Sequence, residues 1–161
     1  MNNSTYEVFQ DKFVLIVEPT TSTRTKLVKA FNSIGIHVLA AECAKDALEM
    51  VDHFKVPALA IIELVLPDMT GVQLATTLCE VYPCPIIFTT SNPEPSQIAK
   101  LLDLVADDVV CKPCDAREVA ARAARILERR HRQSQFSNPP PINRPRIPNQ
   151  RRLREQPMFR Q

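Results

Sequence analysis

With 161 residues, 45% of them hydrophobic, the chain has material for one ordinary domain with a single core and a modest appendage. Its formal charge of +2 is unevenly spread: from Arg129 onward there are nine Arg against one Glu, so residues 1–128 carry −6 and the remainder +8. No apolar run approaches the roughly 18 residues of a membrane span, Met1–Gln10 is polar, and the five Cys lack a secreted-type spacing, so a cytoplasmic protein with reduced thiols and no membrane contact is expected.

Phe13–Val17 (FVLIV) is a short apolar run rich in β-branched residues, the pattern of a strand buried on both faces of a parallel sheet. Ser22–Ile34 then places Leu27, Val28, Phe31 and Ile34 on one helical face. Gly35 stands where that helix must stop, a position that commonly needs a positive φ. Ile36–Ala40 is the second apolar run, and Ala44–Phe54 the second helix. Leu59–Ile62 is the third run, and the loop after it closes on Gly71, the only other glycine. Val72–Tyr82, Pro85–Phe88, Ser96–Val105, Val109–Cys111 and Asp115–Arg130 continue the alternation. Five strand–helix pairs predict an α/β fold, a doubly wound five-stranded parallel sheet flanked by helices. Beyond Arg130 the periodicity ends. Residues 131–161 hold six Pro among Asn, Gln and Arg, with too few apolar side chains to offset the entropy of ordering. The reading is a domain over 12–130 and a disordered Pro/Arg-rich tail over 131–161.

Sheets of this kind place ligands beyond the carboxyl ends of their strands. There the sequence supplies Glu18-Pro19 after the first strand, Glu63 after the third, Thr89-Thr90 after the fourth and Lys112-Pro113 after the fifth. Two acids, a hydroxyl and a lysine therefore converge on one crevice.

Four segments, VLIVEPTTSTR at 14–24, LAIIELVLPDMTG at 59–71, PIIFTTS at 85–91 and ADDVVCKP at 106–113, give the chain a family likeness. From about Lys12 to Leu127 it resembles the receiver domain of bacterial two-component response regulators. That resemblance implies a flavodoxin-like receiver fold and a role in phosphorelay signal transduction as a signalling module, not an enzyme. It puts Glu18 and Pro19 where receivers hold a pair of Mg²⁺-binding acids, and Glu63 where they hold the phospho-accepting aspartate. Thr90 falls on the pocket hydroxyl, Lys112 on the pocket lysine, Pro113 on the proline that follows it through a cis bond, and Val109 on the aromatic switch position.

The departures shape the functional expectation. Proline at 19 offers no side-chain oxygen to a metal that wants near-octahedral oxygen ligands, so Mg²⁺ binding should be weak or lost, with no resident cofactor. Glu63 is one methylene longer than aspartate, which displaces its carboxylate by roughly an ångström on bond-length grounds. Phosphoryl transfer depends on positioning and metal charge, so both changes should be costly. Glu18, Glu63 and Lys112 sum to −1, and a Glu63–Lys112 ion pair can lock the pocket without metal. Two outcomes stay open: Glu63 mimics the phosphorylated state, or the pocket is frozen and mimics nothing. The leading expectation is a pseudo-receiver, phosphorylation-independent, that works through protein partners. The resemblance offers the face of the fourth helix, fifth strand and fifth helix for such contacts or for a homodimer, and the tail is a second docking element.

Two other readings compete. Arg144, Arg146, Arg151, Arg152 and Arg154 would attract phosphates, making a nucleic-acid-associated regulator the alternative, although the tail is too short for a folded DNA-binding domain. Cys111-Lys-Pro-Cys114 is a C-x-x-C of redox or zinc type, but its central pair is already accounted for and no second ligand pair is evident. Two glycines exclude G-x-G-x-x-G and P-loop motifs, and His37, His53 and His131 are scattered.

Overall fold

The five apolar runs become five parallel strands, β1 (Phe13–Val17), β2 (His37–Ala41), β3 (Leu59–Glu63), β4 (Ile86–Thr90) and β5 (Asp108–Cys111). Helices α1 (Thr21–Ser33), α2 (Ala44–Phe54), α3 (Gly71–Val81), α4 (Pro95–Leu104) and α5 (Ala116–Ser137) connect and follow them. The structure is a computed structural model and describes residues 13–54, 56–91 and 94–137. The sheet order is β2-β1-β3-β4-β5, all pairs parallel, so the chain reverses its winding between β1 and β3. That is the switch point at which such sheets open a crevice.

Strand alternation divides the core into two layers. Val14, Ile16, Leu59, Ile61, Ile87 and Val110 face α1 and α5, where Leu27, Phe31, Val119, Ala123 and Leu127 meet them. Leu15, Val17, Ala60, Ile62, Ile86 and Phe88 point the other way, against α2, α3 and Leu101 of α4. Burial on both faces is why these strands read as continuous apolar runs, and each fully buried Leu, Ile or Phe contributes about 1.5–3 kcal/mol. Only the two edge strands show an exposed member, His37 of β2 and Cys111 of β5.

Apart from the end of α5, element ends move by a residue or two from the sequence expectation, and two shifts matter. β3 and β4 run on to Glu63 and Thr90, so both residues leave the sheet from ladder positions and not from free loops. α5 continues seven residues beyond the expected stop at Arg130, to Ser137. The apolar face ends at Leu127, but no proline intervenes before Pro139, and exposed polar residues extend a helix that nothing breaks. Residues 131–137, read as tail, therefore belong to α5. The remainder of the expected tail, 138–161, lies outside the described residues.

Both glycines hold backbone geometry. Gly35 has φ 78°, just after α1 ends with the Gly35 amide on Asn32 and the Ile36 amide on Phe31. Gly71 opens α3, with its amide 2.8 Å from the Leu64 carbonyl. A Cβ there would stand 2.3 Å from the Glu63 carbonyl oxygen. Helix α3 can approach the end of β3 only because no side chain intervenes.

Candidate functional site

Glu18 follows β1 directly, and its amide donates to the Ala41 carbonyl at 3.0 Å, which fixes it to the end of β2. The residue is 1% exposed and Glu63 is 7% exposed. Buried carboxylates on adjacent strands of one crevice require partners. Each finds a backbone donor for one oxygen: Thr20 N–H to Glu18 Oε1 at 2.9 Å, and Val65 N–H to Glu63 Oε1 at 3.3 Å. The other oxygen of each goes to the same group. Lys112 Nζ donates to Glu18 Oε2 at 2.5 Å and also to Glu63 Oε2.

Lys112 reaches this point from the end of β5. Its amide donates to the Thr90 carbonyl at 2.7 Å, extending the β4–β5 ladder by one step, and the Lys112–Pro113 bond is cis. Desolvation alone would lower its pKa, but hydrogen bonds and charge from Glu18 and Glu63 outweigh it and hold the ammonium above the usual lysine value. The expected Glu63–Lys112 pair is thus one half of a three-residue bridge, and Glu18 is the other half.

Around the bridge lies an open cleft of about 470 Å³ lined by Pro19, Thr20, Val65, Thr90, Ser91 and Gln97. Thr90 is buried and lines the cleft, whereas Thr89 points away, with its hydroxyl lacking a hydrogen-bond partner among the described residues. Val109 is half-buried on β5 among the α3–α4 layer. All sequence-predicted pocket residues, Glu18, Pro19, Glu63, Thr90 and Lys112, come to this one place, and Pro113 lines the neighbouring cleft with Cys114.

The donor set does not fit Mg²⁺. Four carboxylate oxygens are present and each already accepts from an N–H, two of them from the Lys112 ammonium. Pro19 adds no side-chain oxygen. A metal seeking near-octahedral oxygens at about 2.0–2.1 Å would have to displace Lys112 first.

Two positioning residues escaped the sequence reading. Arg24, in the first turns of α1, donates to the carbonyls of Glu18 at 2.6 Å and Pro19 at 3.0 Å, and pairs with Glu42 at 3.5 Å. Asp68, in the β3–α3 loop, accepts from the amides of Ala44 at 3.0 Å and Lys45 at 2.8 Å, capping α2 from 24 residues away. Amide donation, Ala44 foremost, holds the Asp68 carboxyl below the usual aspartate range. Both lie in segments that carry the family likeness, Arg24 in 14–24 and Asp68 in 59–71, but the partners of Asp68 are distant in sequence and gave its role no local sign.

The C-x-x-C gains no support. All five thiols are free, Cys111 is exposed and Cys114 half-buried, and burial pushes the Cys114 thiol up. Among the described residues no group of three His, Cys, Asp or Glu is placed to hold a metal ion.

Known proteins match this arrangement. The family model described as "Response regulator receiver domain" matches residues 14–124. Transcriptional regulatory protein CreB of Escherichia coli (strain K12) is 32% identical over 138 residues, covering 84% of this chain and 58% of that protein. The chain spans about half the length of the curated relatives it matches. The signal receiver domain of a putative LuxO repressor protein from Vibrio parahaemolyticus shares the fold with a TM-score of 0.72 at 24% identity, over 79% of this chain and 98% of that one. A two-component response regulator from Clostridium difficile gives a TM-score of 0.69 at 26% identity, over 74% and 98%. The sheet order, the strand-end residues and the family match coincide over one stretch of sequence, and the chain belongs to the response regulator receiver domain family.

Proposed function

We propose that this receiver works without phosphorylation, as a pseudo-receiver that signals through protein partners. The supporting observation is the Glu18–Lys112–Glu63 bridge. A carboxylate that attacks a phosphoryl group needs a free oxygen in line with it and a metal to neutralise the transferring oxygens. Glu63 has one oxygen on the Val65 amide and the other on the Lys112 ammonium, which supplies the positive charge between the two acids. Pocket closure is thereby built into the sequence and needs no modification to maintain it. The partners of such a module are other signalling proteins, and Mg²⁺ contributes nothing to the resting state.

Incubation with acetyl phosphate and Mg²⁺, followed by intact-mass measurement, should give no species heavier by one phosphoryl group. A stoichiometric adduct that maps to Glu63 and disappears in Glu63→Gln would overturn the proposal.

A further inference from the structure

Lys112 leaves the sheet from β5, one edge, whereas residues 41–45 turn from β2, the other edge, into α2. Four strand spacings of about 4.8 Å separate those edges, roughly 19 Å. Two series of contacts nevertheless join them, one from each carboxylate that Lys112 holds.

The first runs through Glu18. Its amide donates to the Ala41 carbonyl, its own carbonyl and that of Pro19 accept from Arg24, and Arg24 pairs with Glu42. The second runs through Glu63, whose Oε1 accepts from the Val65 amide. Beyond Val65 the loop is closed by the antiparallel bridge of Val65 with Thr70 and by the Gly71 amide on the Leu64 carbonyl. Asp68, inside that loop, accepts from the amides of Ala44 and Lys45. Both series end within residues 41–45, but they are unequal. The Glu42 side chain is 66% exposed and 3.5 Å from Arg24, a pair that solvent screens to little. Asp68 makes two charge-assisted hydrogen bonds to amides of the first turn of α2, which have no partner within the helix.

We infer that Asp68 is a strap coupling the Glu18–Lys112–Glu63 bridge to the first turn of α2, so that opening the bridge frees that turn. Glu63 and Asp68 belong to one short segment whose backbone is tied across its neck. A displacement of Glu63 is therefore passed to Asp68 and not absorbed between them. The two amides that Asp68 holds then lose their acceptor, and the start of α2 opens locally while the sheet stays intact. Coupling between two sites is reciprocal, so losing the strap must loosen the bridge in turn. The inference rests on the bridge itself and not on whether Glu63 accepts a phosphoryl group, so it and the proposal above fail on different measurements.

Amide hydrogen exchange and NMR of the full chain read this coupling in both directions. Glu18→Gln/Glu63→Gln/Lys112→Met removes the bridge without stranding a charge. Any change in global stability is read from the sheet amides of Ile61 and Ile87 and subtracted. Protection at Ala44 and Lys45 should then fall by about fivefold, as for a lost helix cap. The amides of Gln97 and Ile98, which start α4 on the Glu94 carbonyl, should keep theirs. In the other direction, Asp68→Ala should lower protection at Val65 and shift the Lys112 Nζ resonance, neither of which is a partner of the Asp68 carboxylate. Asp68→Asn should move both less, because its carboxamide oxygen still accepts. Asp68 lies on the surface, so this arm stands even where the triple variant does not fold. Unchanged protection at Ala44 and Lys45 in the triple variant would overturn the inference, and so would an equal loss in α2 and α4. A Val65 amide and a Lys112 Nζ signal that Asp68→Ala leaves in place would overturn it as well.

Discussion

At the scale of single residues, Lys112 decides what this pocket is. It is the counter-charge for two carboxylates that are almost wholly buried. Lys112→Met would leave two uncompensated buried charges, a situation that typically costs about 3–5 kcal/mol. The urea midpoint should fall accordingly, and adding Glu18→Gln and Glu63→Gln to the same variant should recover most of the loss. Glu63→Gln alone should be milder, because Glu18 keeps Lys112 paired. Alkaline titration carries a second expectation. Lys112 holds its proton to higher pH in the folded state than the ordinary 10.5, so its stabilisation is complete below that value and is lost as pH rises through the folded pKa. The buried Cys84 thiol acts in the same direction, being pushed from 9.0 up to about 12 by burial. Between those values the unfolded chain releases a proton that the folded one retains. Urea midpoints measured from pH 8 to 11 should therefore decline from about pH 9, and Cys84→Ala should lessen the earlier part of the decline, to which the raised thiols of Cys79 and Cys114 also contribute.

Elements bring these residues together, and the closest tolerance is at the start of α3. Gly71 lets the helix lie against the Glu63 carbonyl, and a methyl group there would meet backbone and not a flexible side chain. Gly71→Ala should cost about 1–3 kcal/mol by overpacking, despite the better helix propensity of alanine, and should displace Glu63 from Lys112. Lysine Nζ chemical shifts would report the second effect separately from the urea midpoint. The element pattern itself was open to sequence reading because each strand is buried on both faces and each helix on one. Glu63 and Lys112 could be paired by their positions at strand ends. The share taken by Glu18 could not, since a side-chain reach of about two bonds decides whether a lysine meets one acid or two. Asp68 on the amides of Ala44 and Lys45 was equally hidden, as it depends on how two loops fold over each other. The overrun of α5 was missed for a different reason: its apolar stripe ends at Leu127, while the helix runs on through residues with no breaker among them.

For the whole molecule, stability and surface are supplied by different stretches of chain. The two core layers draw on residues from Val14 to Leu127, and α5 enters the core through Val119, Ala120, Ala123, Ile126 and Leu127. Among the described residues, none past Leu127 is a member of either layer. Deleting 138–161 should then leave the unfolding free energy within about 0.5 kcal/mol of the intact chain, the range of surface changes. Ending the chain after Arg122 should behave in the opposite way, although it removes residues from the same terminus. It strips Ala123, Ile126 and Leu127 from the layer that α5 shares with Phe31 and Leu27. The two larger side chains alone represent about 3–6 kcal/mol of burial, against a total of about 5–15 kcal/mol for a domain of this kind. Urea unfolding of the two truncations separates these cases: a cooperative transition at the parental midpoint for the first, and loss of the cooperative transition for the second. A first truncation that lowered the unfolding free energy by several kcal/mol would mean that residues beyond 137 belong to the fold.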